Sequence, residues 1–423
     1  FNTSIPELLS DSPKSLEDLK KIRQTRKEDS EAGKELLKKE IQTSNELKAW
    51  WIDEMKTTEF PLREKMTLFW ENHFVTAYQK VKVNYWIFQK NQLLRENAFG
   101  NFKTLTKKAM QTNAMVRYLD NVDNKKGKLN ENLSRELLEL FTLGIGNYSE
   151  ADIKNGAKGL AGLGVGETTA MYRRFLEDND PIEYLGKKGV LKLDEMVDAI
   201  FDHPKIPYLL TQKILQWFLY DEPKENLVKH YGDYFRKVNF EIKPLLIKIF
   251  TEEFAKNDTA GSKIKNPLEY ILLLTSELKT QRPESTTIAF FLKQQGMDLF
   301  NPPNVKGWDG GKSWLTSQIY LQRNNVADLL SSGKSIPRSK LERENTLNKK
   351  QAFSISLDWN TKGTNKEIIK ELTDRLLFST DTSLQQDLEK ILKYDFDPQS
   401  LGANDAVLRL FNAIIKSPEF QLI

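Results

Sequence analysis

The spacing of apolar residues predicts helix along almost the whole chain, and the stretch Asn130–Gly146 shows the pattern most completely. Its apolar residues recur at i, i+4, i+7 and i+8, which is the spacing of one side of an α-helix. They are Leu133, Leu137, Leu140 and Phe141. Asn130 is a suitable N-cap, and Gly144 suits a left-handed residue after the last turn. We therefore predict one helix from Asn130 to Leu143.

The polar side of this predicted helix carries three carboxylates with an arginine among them. The carboxylates are Glu131, Glu136 and Glu139, and Arg135 can form i,i+4 pairs with the first and the last. Such a face can perform acid–base chemistry or bind a hard cation, but surface ion pairs give the same pattern far more often. We expect Arg135 to be buried between Glu131, Glu139 and the helix that begins at Pro61.

Similar amphipathic segments recur to the end of the chain, so the sequence predicts an all-α fold of about 12–16 helices. Two long breaks, Gly162–Lys188 and Asn301–Ser313, interrupt them. We predict a large single multi-helix domain with two long ordered loops and at most a minor β element near 353–357. The predicted divisions are an N-terminal helical arm (1–58), a helical core (59–334), an irregular insertion (335–363) and C-terminal helices that pack on the core (364–423).

The composition of the chain argues against several classes of function. Lysine and arginine number 63 against 59 aspartates and glutamates, so the net charge is only +4, and the charges are interspersed. A nucleic-acid partner is therefore not expected. No apolar run is long enough to cross a membrane. The chain has no cysteine, which excludes disulfides, thiolate metal sites and a cysteine nucleophile.

The three histidines differ in their predicted environments. His73 lies within the apolar stripe of the helix that begins at Pro61, so we expect it to be buried with one hydrogen-bond partner, or to act as a ligand or general base. His203 lies at a helix junction and is expected to close that turn. His230 lies in a charged helix and is expected to be exposed. No pair of histidines has the i,i+4 spacing of a zinc site, and we assign no metal or cofactor.

Two glycine-rich loops attract attention. The run Gly162-Leu163-Gly164-Val165-Gly166 resembles a phosphate loop only superficially, because no strand precedes it and no Gly-Lys-Ser/Thr follows. The loop Asn301–Trp314 combines prolines and glycines with Trp308 and Trp314. Buried tryptophans would make this loop a structural plug, whereas exposed ones would form an aromatic platform for a sugar ring or another flat ligand. In the second case we expect Trp308, Trp314, Lys306 and Arg135 to bind the ligand.

Several stretches together resemble the bacterial family known as domain of unknown function 1800. The matching order and spacing extend from about residue 60 to the end of the chain. The stretches are Lys65–Phe74 (KMTLFWENHF), Asn91–Phe102 (NQLLRENAFGNF), Asn130–Glu150 (NENLSRELLELFTLGIGNYSE), Phe300–Trp314 (FNPPNVKGWDGGKSW) and Ser417–Phe420 (SPEF).

The resemblance implies a mostly helical, exported bacterial protein with no established activity. Members of the family are commonly encoded beside a sulfatase- or phosphatase-like family, which suggests joint work on an envelope or extracellular polymer. We therefore expect an extracytoplasmic location (the periplasm, the outer membrane or outside the cell), with the signal sequence upstream of Phe1. We also expect a protein partner, with a sulfatase-like protein as one candidate and a glycan as another ligand.

The chain departs from the family pattern at polar positions. Glu71 stands where members usually have the first histidine of Trp-His-Asn-His-Phe, and Glu177-Asp178 replace a His-Asp pair, while His73 is kept. The preferred interpretation is a divergent binding or assembly protein that keeps the scaffold. The alternative is a metal-assisted or acid–base hydrolase of an extracellular polymer in which five side chains converge. These are His73, Glu71, Glu136, Glu177 and Asp178.

Overall fold

The computed structural model describes residues 5–256, 259–280, 284–332 and 355–423, and within these ranges the chain is predominantly α-helical. The described ranges contain 19 α-helices and four short strands, so the predicted all-α class is confirmed. Among the described residues, no helix is both long and apolar enough to cross a membrane.

The first thirteen helices precede residue 255. They are α1 (Leu16–Glu28), α2 (Ser30–Thr57), α3 (Pro61–His73), α4 (Tyr78–Val81), α5 (Asn84–Glu96), α6 (Phe102–Met110), α7 (Asn113–Tyr118), α8 (Asn132–Glu139), α9 (Glu150–Gly159), α10 (Leu193–Asp202), α11 (Ile206–Phe218), α12 (Glu225–Lys237) and α13 (Ile242–Glu253). The remaining six are α14 (Pro267–Glu277), α15 (Ser285–Gln294), α16 (Ser317–Ser331), α17 (Asn365–Leu376), α18 (Thr382–Ile391) and α19 (Ala403–Ile415).

The chain forms two compact units. One comprises Phe1–Ala255 together with Leu299–Trp308, and the other comprises Lys256–Asp298 together with Asp309–Ile423. The boundaries predicted from the sequence stay predictions. Residues 335–354 of the predicted insertion lie outside the described residues, as do the first two positions of the short run 353–357, and positions 355–357 have no strand structure.

Several helix ends in the first unit follow directly from the sequence. Ser15 and Ser149 each accept a hydrogen bond from the backbone three residues later, and the aspartate at that position returns one, which completes a capping box at α1 and at α9. Pro61 occupies the first turn of α3, where its missing N–H costs nothing. At the end of α3, the aromatic rings of Trp70 and Phe74 pack against each other and against Phe102 in the core.

The first predicted loop contains two small hairpins that the sequence analysis missed. β1 (Leu163–Gly164) pairs antiparallel with β2 (Met171–Tyr172), and β3 (Ile182–Tyr184) pairs with β4 (Lys187–Gly189). The two residues between β3 and β4, Leu185 and Gly186, both have positive φ angles of 49° and 81°. Two successive positive φ angles match the twist of a tight hairpin, so this Leu-Gly pair makes the turn.

The helix predicted from Asn130 to Leu143 is shorter than expected. α8 begins at Asn132, and the Asn130 side chain accepts from the Asn132 backbone in a turn instead of capping the helix. At the other end, the Thr142 hydroxyl donates to the carbonyl of Leu137. After Glu139, two backbone N–H groups donate to carbonyls five residues earlier instead of four, so the regular helix ends. Gly144 has the predicted positive φ, 82°. The side-chain hydrogen bonds of Asn130 and Thr142 compete with regular helix at both ends.

Candidate functional site

His73 ends α3 and is buried, as predicted, with 2% of its surface exposed. Its Nε2 atom lies 3.0 Å from the carbonyl oxygen of Phe141, and its Nδ1 atom lies 3.4 Å from Nζ of Lys213. This arrangement fits a neutral ring with its proton on Nε2, because the carbonyl must accept and the ammonium must donate. Burial, reinforced by the charge of Lys213, holds the pKa of His73 well below 6.5.

Lys213, on α11, forms a hydrogen bond with the C-terminal end of α8. Its Nζ donates to the carbonyl of Leu140 at 2.9 Å, and carbonyls at a helix C-terminus lack partners within the helix and attract cations. Burial lowers the pKa of Lys213 to about 8. His73, Lys213 and the end of α8 therefore form one polar contact inside an aromatic core, and the sequence analysis missed the lysine because it lies 140 residues from the histidine.

Glu71 forms a buried ion pair with Lys90 of α5. Its Oε2 lies 2.7 Å from Nζ of Lys90, and the two side chains are 4% and 0% exposed. Lys90 also donates to the carbonyl of Phe74, and Asn91 donates to the second oxygen of Glu71. Burial lowers the pKa of Lys90, although the charge of Glu71 opposes the change. Glu71 therefore neutralises a cation that the interior would otherwise hold alone.

Asn72, between these two residues, fixes the loop that precedes Trp308. Its Oδ1 accepts from the Trp308 backbone at 2.7 Å, and its Nδ2 donates to the Trp308 carbonyl. Gly307 has a φ of +88°, and a Cβ at this position would lie 2.2 Å from the same Oδ1. The close approach therefore requires glycine. Two of the stretches that carry the family resemblance, KMTLFWENHF and PPNVKGW, thus meet through Asn72.

Glu177 and Asp178 lie beside the hairpins and have other partners. Glu177 is 3.2 Å from Nζ of Lys192, and Asp178 is 3.7 Å from Nζ of Lys126. Within the described part of the chain, these two contacts share no residue with the contacts of His73 or Glu71. The structure thus joins His73 and Glu71 on one helix but links neither of them to Glu177 or Asp178.

Glu136, on α8, is half-buried, and its carboxylate makes no ion pair or hydrogen bond with the residues that the structure describes. Burial raises its pKa, as does the nearby charge of Glu139, whereas Arg135 and the exposed Lys306 oppose the change. Burial, and then the charge of Glu136, raises the pKa of Tyr118. The structure therefore brings one predicted catalytic carboxylate close to two predicted binding residues.

The expected burial of Arg135 is wrong. Its side chain is 36% exposed, and it pairs with Glu131 at 3.3 Å and with Glu150 of α9 at 3.1 Å instead of with Glu139. Glu139 accepts from the hydroxyl of Tyr148 instead. The short α8 places Arg135 beside the start of α9, so hydration and two carboxylates satisfy the guanidinium without burial.

The two tryptophans of the second loop are both buried, each with 6% of its surface exposed. Neither presents a face to solvent, so these indoles anchor the loop and do not form an exposed aromatic platform. The two remaining histidines behave as expected. His203 accepts from the Lys205 backbone and closes its turn, and the side chain of His230 is 56% exposed.

A cavity of about 170 Å³ lies beside the glycine run and was not predicted. Its lining comprises Leu16, Arg117, Asn121, Val122, Asn124, Gly162, Leu163, Gly164, Val165, Arg173 and Leu176. Asn121 and Asn124 contribute buried side-chain amides to this lining. Both amides are held in place, because Asn121 donates to two carbonyls and Asn124 donates to Asn121. The spacing of asparagine and glycine residues in the sequence does not predict this cavity, because its lining residues come from four separate segments of the chain.

The candidate residues do not form a metal site. Among the described residues, no group of three or more histidine, aspartate or glutamate side chains is arranged to hold an ion. What the structure assembles is a buried contact at His73, a half-buried carboxylate at Glu136 and a cationic cavity beside Gly162–Val165.

Comparison with known proteins places the chain in a family without assigning an activity. No curated protein and no solved structure matches it. The model of one family, described as "Protein of unknown function (DUF1800)", matches residues 2–422. Since that match covers nearly the whole chain, and since the stretches joined through Asn72 are those expected for the family, the chain belongs to the DUF1800 family.

Proposed function

We propose that this chain is an exported binding or assembly protein that acts with a protein partner on envelope or extracellular material. The observation that carries the proposal is the buried Glu71–Lys90 ion pair. A carboxylate that compensates an interior lysine stabilises the scaffold and has no route to a polymer outside it. The divergence from the family at this position is therefore compatible with an intact fold and a binding role.

The surface near the first hairpin supports a binding role. Phe175 is fully exposed and Met171 is 56% exposed, and Arg173 and Arg174 lie between them in the chain. Lys126 adjoins the same segment, because its backbone N–H donates to the carbonyl of Leu176, but its side chain pairs with Asp178 and Asp180, so the positive charge of this surface comes from Arg173 and Arg174. Exposed aromatic and arginine side chains are enriched where proteins bind their partners, and the positive charge favours an acidic partner.

Affinity isolation tests the proposal. The full chain, tagged and expressed in its own host, is used to capture envelope material, and the captured proteins and glycans are identified by mass spectrometry. The expected result is one dominant partner that the variant Phe175→Ser captures much less well. Phe254→Ser is the matched control, because Phe254 is 59% exposed but lies at the end of α13.

Equal capture by wild type and Phe175→Ser would place the binding surface elsewhere. Absence of any partner above the level of an untagged strain would remove the support for an assembly role. The fold of both variants is checked by circular dichroism before the capture.

A second candidate function is hydrolysis of an extracellular polymer by acid–base chemistry. The half-buried Glu136 favours it, because burial and the charge of Glu139 raise the pKa of this carboxylate, which is the direction that a general acid requires. Glu139 lies one turn away and accepts from Tyr148 at 2.8 Å, so it can serve as the second carboxylate. Turnover that is lost in Glu136→Gln but kept in Glu131→Gln would establish this function.

A further inference from the structure

We propose that the cavity beside the glycine run binds a small ligand through one anionic group, a carboxylate or a phosphate, held by Arg117 and Arg173. This inference goes beyond the proposed function, because it requires neither a protein partner nor an exported location. The named cavity lies wholly within the first compact unit.

The charge of the lining carries the inference. Arg117 and Arg173 are its charged members, and no carboxylate belongs to the lining within the described part of the chain. An arginine guanidinium is planar and presents several N–H donors, so two of them around one cavity suit an oxyanion. The apolar members, such as Leu163 and Val165, exclude water from the remaining wall and strengthen those contacts.

Both guanidinium groups are held in position by backbone carbonyls. Nε of Arg117 donates to the carbonyl of Val81 at 2.7 Å, and Nη2 of Arg173 donates to that of Val165 at 3.1 Å. The guanidinium of Arg173 lies over Gly164, where an added Cβ would be 3.7 Å from its Nε. Arg173 is exposed, so the cavity reaches the surface beside this residue.

The size of the cavity limits the ligand. A volume of about 170 Å³ is below the roughly 300–1,000 Å³ of pockets for drug-sized molecules. It accommodates a single anion or one sugar acid. Gly162 and Gly164 line the wall, although the run Gly162–Gly166 has no phosphate-loop signature.

Isothermal titration of the full 423-residue chain with two anions tests the inference. Inorganic phosphate represents a phosphate group and glucuronate represents a carboxylate on a sugar, while glucose is the neutral control. The expected result is millimolar or tighter binding of at least one anion, none of glucose, and weaker binding at higher salt. The anion that binds more tightly identifies which group the cavity prefers.

The matched variants are Arg173→Ala and Arg174→Ala. Both remove one exposed arginine, but only Arg173 lines the cavity. Arg173→Ala is expected to weaken binding of the anion about 10- to 100-fold, since it removes charge-assisted hydrogen bonds, whereas Arg174→Ala should leave the affinity within about twofold. Binding of neither anion, equal binding of glucose, or equal losses in the two variants would overturn the inference. A failure of partner capture would leave it untouched, because the titration uses purified protein.

Discussion

Removing the carboxylate of Glu71 should destabilise the fold because it leaves Lys90 charged and alone in the interior. The variant Glu71→Met keeps similar volume but deletes the partner that lies 2.7 Å from Nζ of Lys90. Lys90 must then either lose its proton or keep an uncompensated charge. Either response destabilises the folded state and so reduces the free energy of unfolding.

The cost of deprotonating Lys90 sets the scale of this loss. Lys90 has a reference pKa of 10.5, so releasing its proton at pH 7 costs 1.36 kcal/mol for each of about 3.5 pH units, or about 4.8 kcal/mol. Broken buried pairs typically cost about 3–5 kcal/mol, a range that includes this figure. We therefore expect Glu71→Met to reduce the free energy of unfolding by about 3–5 kcal/mol.

The double variant Glu71→Met/Lys90→Met is the matched control, because it removes both charges together. Both variants leave the Asn91 amide without its partner, and the double variant also leaves the Phe74 carbonyl without one, which costs about 1–3 kcal/mol. Since the double variant avoids the cost of about 3–5 kcal/mol for an uncompensated charge, we expect it to be about 2 kcal/mol more stable than Glu71→Met. Urea unfolding followed by circular dichroism measures both variants. A double variant no more stable than Glu71→Met would refute the structural role of this pair.

Three further predictions concern other parts of the first unit. Because folding lowers the pKa of His73, the contribution of this residue to stability is full above pH 6.5 and is lost by about 1.4 kcal/mol per pH unit as the pH falls below 6.5. The variant His73→Gln should reduce this slope when urea unfolding midpoints are measured against pH. Arg135→Ala should change the free energy of unfolding by less than about 1 kcal/mol, since its ion pairs are exposed, and a larger loss would mean that the arginine is buried. Gly307→Ala should destabilise more than Gly146→Ala in thermal unfolding, because both have positive φ but only Gly307 would clash with Asn72; equal losses would contradict the close approach.

Local sequence signals predicted much of the helical structure. The proline at the start of α3 and the burial of His73 were predicted, and the structure has both. The capping boxes at Ser15 and Ser149 likewise depend only on residues within one turn. The extent of α8 was not predictable in the same way, because a turn at Asn130 and a side-chain bond at Thr142 both compete with regular helix.

The candidate site depends on contacts between residues that are far apart in the sequence. For this reason its pairings could not be predicted from the sequence. Lys90 lies 19 positions after Glu71, and Lys213 lies 140 positions after His73, so neither pairing has a local signature. The cationic cavity likewise combines Arg117 and Arg173 from separate segments. The burial of Arg135 was predicted wrongly because the sequence could not reveal that the start of α9, with Glu150, packs beside this arginine.

The most direct test of a binding role compares capture with turnover in one experiment. Purified full chain is incubated with polymer extracted from the envelope of its own host, and both the bound polymer and the newly formed chain ends are measured over time. The account predicts saturable binding with no increase in chain ends above a protein-free control. A steady increase in chain ends that Glu136→Gln abolishes, while Glu131→Gln preserves it, would contradict the account and show an enzyme.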